Sequence, residues 1–245
     1  MIHYHGLPIT PETAAAKVAA GGHVFLSFAH SGQQRVATTI AQSFAVDNGA
    51  YSAWMAGEPI TDWAPFWEWA LEMSKHPSCD FVVAPDVIGG SENDNDRLVG
   101  EAGQHLPDWC VAPVWHMHES LGRLDSMCDD FTRICIGSSG EYSDPGSQKW
   151  WGRMVEAMAT ACDGGVPRCK IHGLRMLDPD VFTRIPLSSA DSTNIGRNIG
   201  IDSRWTGAYQ PATKETRAMI IRERIEAHNA PPVWDFSTPL QAVMF

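Results

Sequence analysis

Ile185-Pro186-Leu187-Ser188-Ser189-Ala190-Asp191-Ser192-Thr193-Asn194-Ile195-Gly196-Arg197-Asn198 is an apolar run that ends on a carboxylate and passes directly into a polar loop. A strand that delivers a reactive side chain at its C-terminal end is the building unit of a parallel barrel, whose sites lie at that face. The same pattern occurs twice earlier, with Asp47 in Ala45-Val46-Asp47-Asn48-Gly49-Ala50-Tyr51 and Asp86 in Val82-Val83-Ala84-Pro85-Asp86-Val87. Outward from these, β-branched runs alternate with stretches of helical composition, which predicts βα units around a parallel sheet. Strands are predicted at 2–6, 23–28, 44–47, 81–86, 110–115, 134–138, 169–173 and 186–191, and helices at 11–20, 62–74, 147–161 and 213–227 among others. The count is that of an α/β protein with a (β/α)8 TIM barrel, a single domain over 1–245. The alternative, an open doubly wound sheet, calls for a G-x-G-x-x-G turn, which Gly21-Gly22 and Gly89-Gly90 do not supply. Pro231-Pro232 and Pro239 predict an irregular tail over 229–245.

Composition narrows the function classes. The 245 residues are 44% hydrophobic, enough for one large core, and the formal net charge of -11 argues against a surface that coats nucleic acid uniformly. It leaves room for a local basic patch. Between Arg197 and Arg224 there are six basic residues (Arg197, Arg204, Lys214, Arg217, Arg222, Arg224) against three acidic ones, so this segment can hold phosphates or be a solvated helix face. The six cysteines lie apart, with no Cys-x-x-Cys pair, and read as buried thiols in a reducing compartment. No stretch reaches the ~18 apolar residues of a membrane span, and Met1-Ile2-His3-Tyr4-His5-Gly6 lacks a basic region followed by an apolar one. A soluble, cytoplasmic protein with no membrane partner is expected.

Polar groups recur at the expected strand ends: His5, Ser31, Asp47, Asp86, His116, Ser138 with Glu141, His172 and Asp191. Each has a bland alternative. Asp47-Asn48-Gly49 can be an ordinary turn, Asp86 a helix cap, His116 and His118 solvated loop residues, and His172 a satisfied core histidine. The whole set at one face of a barrel is what points to a site.

These segments resemble the tRNA-guanine (queuine/archaeosine) transglycosylase family, including phage and bacterial relatives that place 7-deazaguanines in DNA. The family's Asp-Ser-Gly-Gly-Phe-Gln is similar to Asp47-Asn48-Gly49-Ala50-Tyr51-Ser52, and its base-recognition aspartate to Asp86. Its Gly-Gly-Leu-Ala-Val-Gly-Glu resembles Ile136-Gly137-Ser138-Ser139-Gly140-Glu141, and its nucleophile segment resembles Ala190-Asp191-Ser192-Thr193-Asn194-Ile195-Gly196-Arg197-Asn198. The matches run in order over residues 44 to 200. The family's structural zinc, held by a Cys-x-Cys-x-x-Cys and a later His, has no counterpart, because no cysteine follows Cys169. The resemblance therefore implies a compact relative without metal or cofactor, in a bacterial or phage-infected cell. Its partners would be a 7-deazaguanine base (queuine or preQ0 type) and a nucleic acid, DNA in preference to tRNA; a homodimer stays open. It implies Asp191 as nucleophile, Asp47 as acid and base, and Asp86, Tyr51, His116, Gly137, Ser138 and His172 around the base. Arg197, Arg204, Lys214 and Arg217 would then hold phosphates.

Two other functions are open. Barrel metal hydrolases carry His-x-His on the first strand, and His3-Tyr4-His5 fits that element, with His116, His172 and Asp191 as further ligands. A catalytically inert nucleic-acid-binding barrel is the third reading.

Overall fold

The computed structural model describes residues 1–200 and 210–235. In chain order it contains β1 (Ile2–Gly6), α1 (Glu12–Ala19), β2 (His23–Ser27), α2 (Gln34–Thr39), β3 (Ser43–Asp47), α3 (Ala50–Met55), α4 (Ala64–Ser74) and β4 (Cys79–Val83). There follow α5 (Glu92–His105), β5 (Val111–Ala112), β6 (Val114–His116), α6 (Leu121–Asp130), β7 (Arg133–Gly137) and α7 (Gln148–Ala161). A small hairpin of β8 (Cys162–Asp163) and β9 (Val166–Pro167) precedes β10 (Lys170–Gly173), α8 (Pro179–Phe182), β11 (Ser189–Ser192), α9 (Asn194–Asn198) and α10 (Lys214–Glu226).

Nine parallel segments form one sheet in the order β5-β4-β3-β2-β1-β11-β10-β7-β6. Its two ends, β5 and β6, are joined directly through Pro113, so the sheet is a nearly closed barrel of the (β/α)8 kind. The fifth expected strand is the one that breaks. Proline has no N–H to give a ladder. Val111–Ala112 pairs with β4, Val114–His116 pairs with β7, and the Pro113 carbonyl still accepts from Cys135 N at 2.8 Å. Of the other expected strands, β1 is found at its expected bounds and the rest are present with shifted ends. β4 stops at Val83, so Asp86 lies in the loop beyond it, and β11 begins at Ser189 rather than at Pro186.

The helices follow local rules. Ser91 and Asp94 make a reciprocal capping box on α5, and the side chains of Ser120, Ser147 and Thr213 cap α6, α7 and α10. α4 buries Phe66, Trp67, Ala70, Met73 and Ser74, one helical stripe, against the barrel. No helix among the described residues is long and apolar enough to cross a membrane. Residues 229–235 carry no helix or strand, as expected of the tail, whose remainder lies outside the described residues.

Strand alternation sorts side chains into two cores. One fills the barrel with Tyr4, Phe25, Ala45, Phe81, Val83, Ala112, Val114 and Cys135; the larger lies between sheet and helices. On β1, Tyr4 points inward, so His3 and His5 point outward. His5 Nε2 lies 3.0 Å from Glu226 of α10, and His3 Nε2 lies 3.0 Å from the His228 carbonyl. The expected metal-binding His-x-His is thereby corrected. These two rings belong to the helix layer, on the opposite face of the sheet from Tyr4 and its register partner Asp191.

Arg222 of α10 is consumed in the same layer. Its guanidinium donates to the carbonyls of Val18 at 2.8 Å, Ala20 at 3.0 Å and Gly21 at 3.2 Å, and to Glu226 at 2.8 Å. The carbonyls at the end of α1 have no helical partners of their own, so one buried cation satisfies them. Arg222→Met is expected to cost about 2–4 kcal/mol of stability, because it strands those carbonyls and Glu226. Urea unfolding of the two proteins measures this, and a loss under about 0.5 kcal/mol would show that the layer does not depend on Arg222.

Candidate active site

On β2, β3 and β6 the inward-facing position at the C-terminal end is polar where the one below it is apolar, while β7 ends on a glycine and β11 is polar at both levels. Phe25 is followed two residues on by Ser27, Ala45 by Asp47, Val114 by His116, Cys135 by Gly137 and Ser189 by Asp191. The period of two that builds the barrel core thus also builds the floor of a cavity at its mouth. That cavity has a volume of about 530 Å³. Asp47, Asp86 and Asp191 all line it, with Tyr51, His116, Gly137, Ser138 and Arg197.

The three carboxylates sit in different surroundings. Asp47 accepts a hydrogen bond from Gly49 N at 3.2 Å. Desolvation raises its pKa to about 7, with Asp191 and Asp86 adding to the rise and the Ser27 hydroxyl and Gly49 N–H opposing it. Asp86 is 7% exposed and doubly held: Asn48 Nδ2 donates to Oδ1 at 2.7 Å, and His116 Nε2 lies 2.8 Å from Oδ2. Burial disfavours the charged His116 ring, but its contact with Asp86 outweighs this, so its pKa is raised above the ordinary histidine value. Asp191 is 4% exposed; its Oδ1 accepts from Arg175 N at 2.8 Å and lies 3.4 Å from His172 Nε2.

Supporting groups fix these side chains. Asn48 also donates to Ala84 O at 2.7 Å and accepts from Ala50 N at 2.8 Å, which ties the β3 and β4 loops together. Gly49 has φ +80°, and a Cβ there would sit 2.9 Å from Ala29 N, so only glycine makes this turn. A Cβ on Gly137 would lie 3.3 Å from Val114 Cγ1 and 3.4 Å from His116 Nδ1, so the His116 ring packs closely on this backbone. Behind His116, buried Glu119 accepts from His116 N at 2.9 Å, Arg123 at 2.7 Å and Asn95 at 2.8 Å.

His172 departs from expectation. It is fully buried in the barrel interior below the cavity, stacked on Phe25 with ring centroids 5.2 Å apart, and bonded through Nδ1 to Ser189 at 2.8 Å. Burial lowers its pKa, so it is a neutral ring that supports Asp191 from beneath rather than one that touches a base. Ser138 lines the cavity, but its hydroxyl takes the Trp150 indole N–H at 2.9 Å. Of the four expected phosphate ligands, Arg197 reaches the cavity. Lys214 and Arg217 are on α10, with Arg217 turned back to Gly200 O at 2.7 Å, and Arg204 lies outside the described residues. Arg224 borders a separate recess with Asp178 and Asp180. Two of the segment's described basic residues, Arg217 and Arg222, are therefore engaged in internal contacts.

Two residues of the site were not anticipated. Asn48 looked like a turn residue and is the clamp on Asp86. Arg175 has φ +58°, an uncommon conformation for a side chain of its size, and its guanidinium lies 3.8 Å over the Tyr51 ring. Nothing in Gly173-Leu174-Arg175-Met176 signals that role, since it comes from a loop meeting α3 across the cavity. Among the described residues no group of three or more His, Cys, Asp and Glu side chains is gathered as a metal site. No protein-family model matches the chain, and no curated protein matches its sequence.

Proposed function

We propose that the chain is a base-exchange transglycosylase that replaces guanine in a nucleic acid, DNA in preference to tRNA, with a 7-deazaguanine. The reading rests on one observation, the convergence of Asp47, Asp86 and Asp191 from three strand ends on one cavity, each in a different electrostatic setting. Different settings give chemically alike groups different roles.

In this mechanism the Asp191 carboxylate attacks C1′ of the target nucleotide as the C1′–N9 bond breaks. The electron pair of that bond leaves with the base, which takes a proton from Asp47. Asp47, now a carboxylate, then removes the N9 proton of the incoming 7-deazaguanine. The freed nitrogen attacks C1′ and displaces Asp191, which restores both groups. A pKa near 7 suits Asp47 to both halves. The backbone N–H of Arg175 and the His172 ring beneath hold Asp191 for attack. Asp86 presents an acceptor to the N–H groups of a purine edge, and His116, whose Nε2 faces Asp86, offers its Nδ1–H to the carbonyl when the ring is doubly protonated. A base enters such a cavity only once it has left the helical stack. No resident metal or cofactor has a role in these steps.

Asp191→Asn should abolish exchange by at least about a thousandfold while leaving binding of free guanine nearly unchanged, since an amide keeps the shape but forms no ester. Denaturing gels of wild type with a guanine-containing oligonucleotide and a base analogue should show a covalent adduct, absent in Asp191→Asn. An adduct that persists in the variant would remove Asp191 from the mechanism.

The second expectation concerns pH. Native Asp47 binds its proton more tightly than the unfolded chain does. The stability this gives is full below the ordinary carboxylate value of 3.8 and is lost as pH rises through about 7. Asp47→Asn should therefore be more stable than wild type at alkaline pH, with the gap closing in acid. Adduct formation by wild type should fall about tenfold per unit above a pH of about 7. Thermal unfolding across pH and single-turnover rates test both; parallel stability curves for the two proteins would show that Asp47 has an ordinary pKa.

A further inference from the structure

The rim of the cavity is chemically divided. On the β3 side, α3 leaves Trp54 48% and Met55 61% exposed, and Met55 lines the cavity itself. Tyr51, one turn earlier on α3, stacks toward Trp54 with ring centroids 6.1 Å apart. Across the mouth, Arg197 of α9 and Arg175 project from the loops that follow β11 and β10. The Arg175 guanidinium lies on the Tyr51 face, so planar groups run from the cavity to the surface in the order Arg175, Tyr51, Trp54.

A free base would use the interior of this cavity and has no need of the rim. A polymer differs from a free base in having neighbouring bases and phosphates. Large planar side chains left open to water beside cations match those two features, because bases stack on aromatics without regard to sequence and phosphates pair with arginine. On the reading given above, we infer that this rim is a binding surface for an unstacked nucleic-acid strand. The target nucleotide enters the cavity, the adjacent base stacks on Trp54 along the Met55 edge, and the backbone phosphate between them faces Arg197. The chain's overall charge of -11 confines attraction to this rim, so binding is local and the duplex flanks are not wrapped.

The test is fluorescence anisotropy with a labelled single-stranded DNA oligonucleotide holding one guanine, run alongside calorimetry with free guanine. Trp54→Ala should weaken oligonucleotide binding by about tenfold or more, with Trp54→Phe restoring most of it, and neither should change free-guanine affinity. Arg197→Gln should weaken binding and lower the slope of log affinity against log salt by about one. Oligonucleotide affinity equal to wild type in Trp54→Ala overturns the inference. So does a wild type that sediments as a dimer which Trp54→Ala dissolves without loss of oligonucleotide binding, since Trp54 would then face a second copy. Absence of free-guanine binding in wild type would count against the base-exchange reading, while the oligonucleotide series would still judge the rim.

Discussion

The parallel pairing of β1 with β11 decides what this molecule can be. Tyr4 stands beside Asp191 in that register, and both point into the barrel. A slip of one residue would exchange the two faces of the strand, bringing His3 and His5 inside and sending Tyr4 out to the helices. The register is held from both sides. The Tyr4 ring packs against Phe25, Phe81 and His172 in the interior, and its hydroxyl bonds to Asp80 at the barrel floor. Outside, His5 meets Glu226, which Arg222 also holds. Wrong register would bury a phenol against helices and put imidazoles where no partner waits for them.

The second constraint is electrostatic. Three carboxylates at one mouth repel one another, and a buried charge without partners is costly. The structure meets this unevenly. Asp86 is compensated by Asn48 and His116, and Asp191 by an N–H and a neutral imidazole, whereas Asp47 has weaker partners and gives way by holding its proton. The residue with the poorest compensation is the one suited to exchange protons, so the cost of assembling the cluster and the acid–base role proposed for Asp47 have one source.

The outline of the fold was legible because strand and helix periods are local properties of a chain. Asp47, Asp86 and Asp191 were legible for the same reason, each closing or following an apolar run whose direction a barrel dictates. What escaped was whatever depends on contacts between distant loops. Arg175 stacks on Tyr51 from the far side of the cavity, and Asn48 reaches Asp86 across two loops. His172 was misplaced for an instructive reason. It lies only one residue before the end of β10, yet its register partner on β11 is Ser189, a full pleat below Asp191, so it belongs to the layer under the cavity. Sequence distance from a strand end does not give depth when the strands are staggered.

That stagger also explains why the nucleophile candidate is held from two directions. Asp191 stands one layer above His172, and the loop after β10 must fold over it to close the mouth. Arg175 adopts a left-handed conformation to do so, and this aims its N–H at Asp191 while its side chain reaches Tyr51. A glycine would take that backbone shape without strain but would carry no guanidinium. Retaining arginine there accepts a local backbone cost in return for linking the carboxylate at the cavity floor to the aromatic rim. The strained residue therefore marks the point where positioning of the proposed nucleophile and shaping of the entrance become one structural problem.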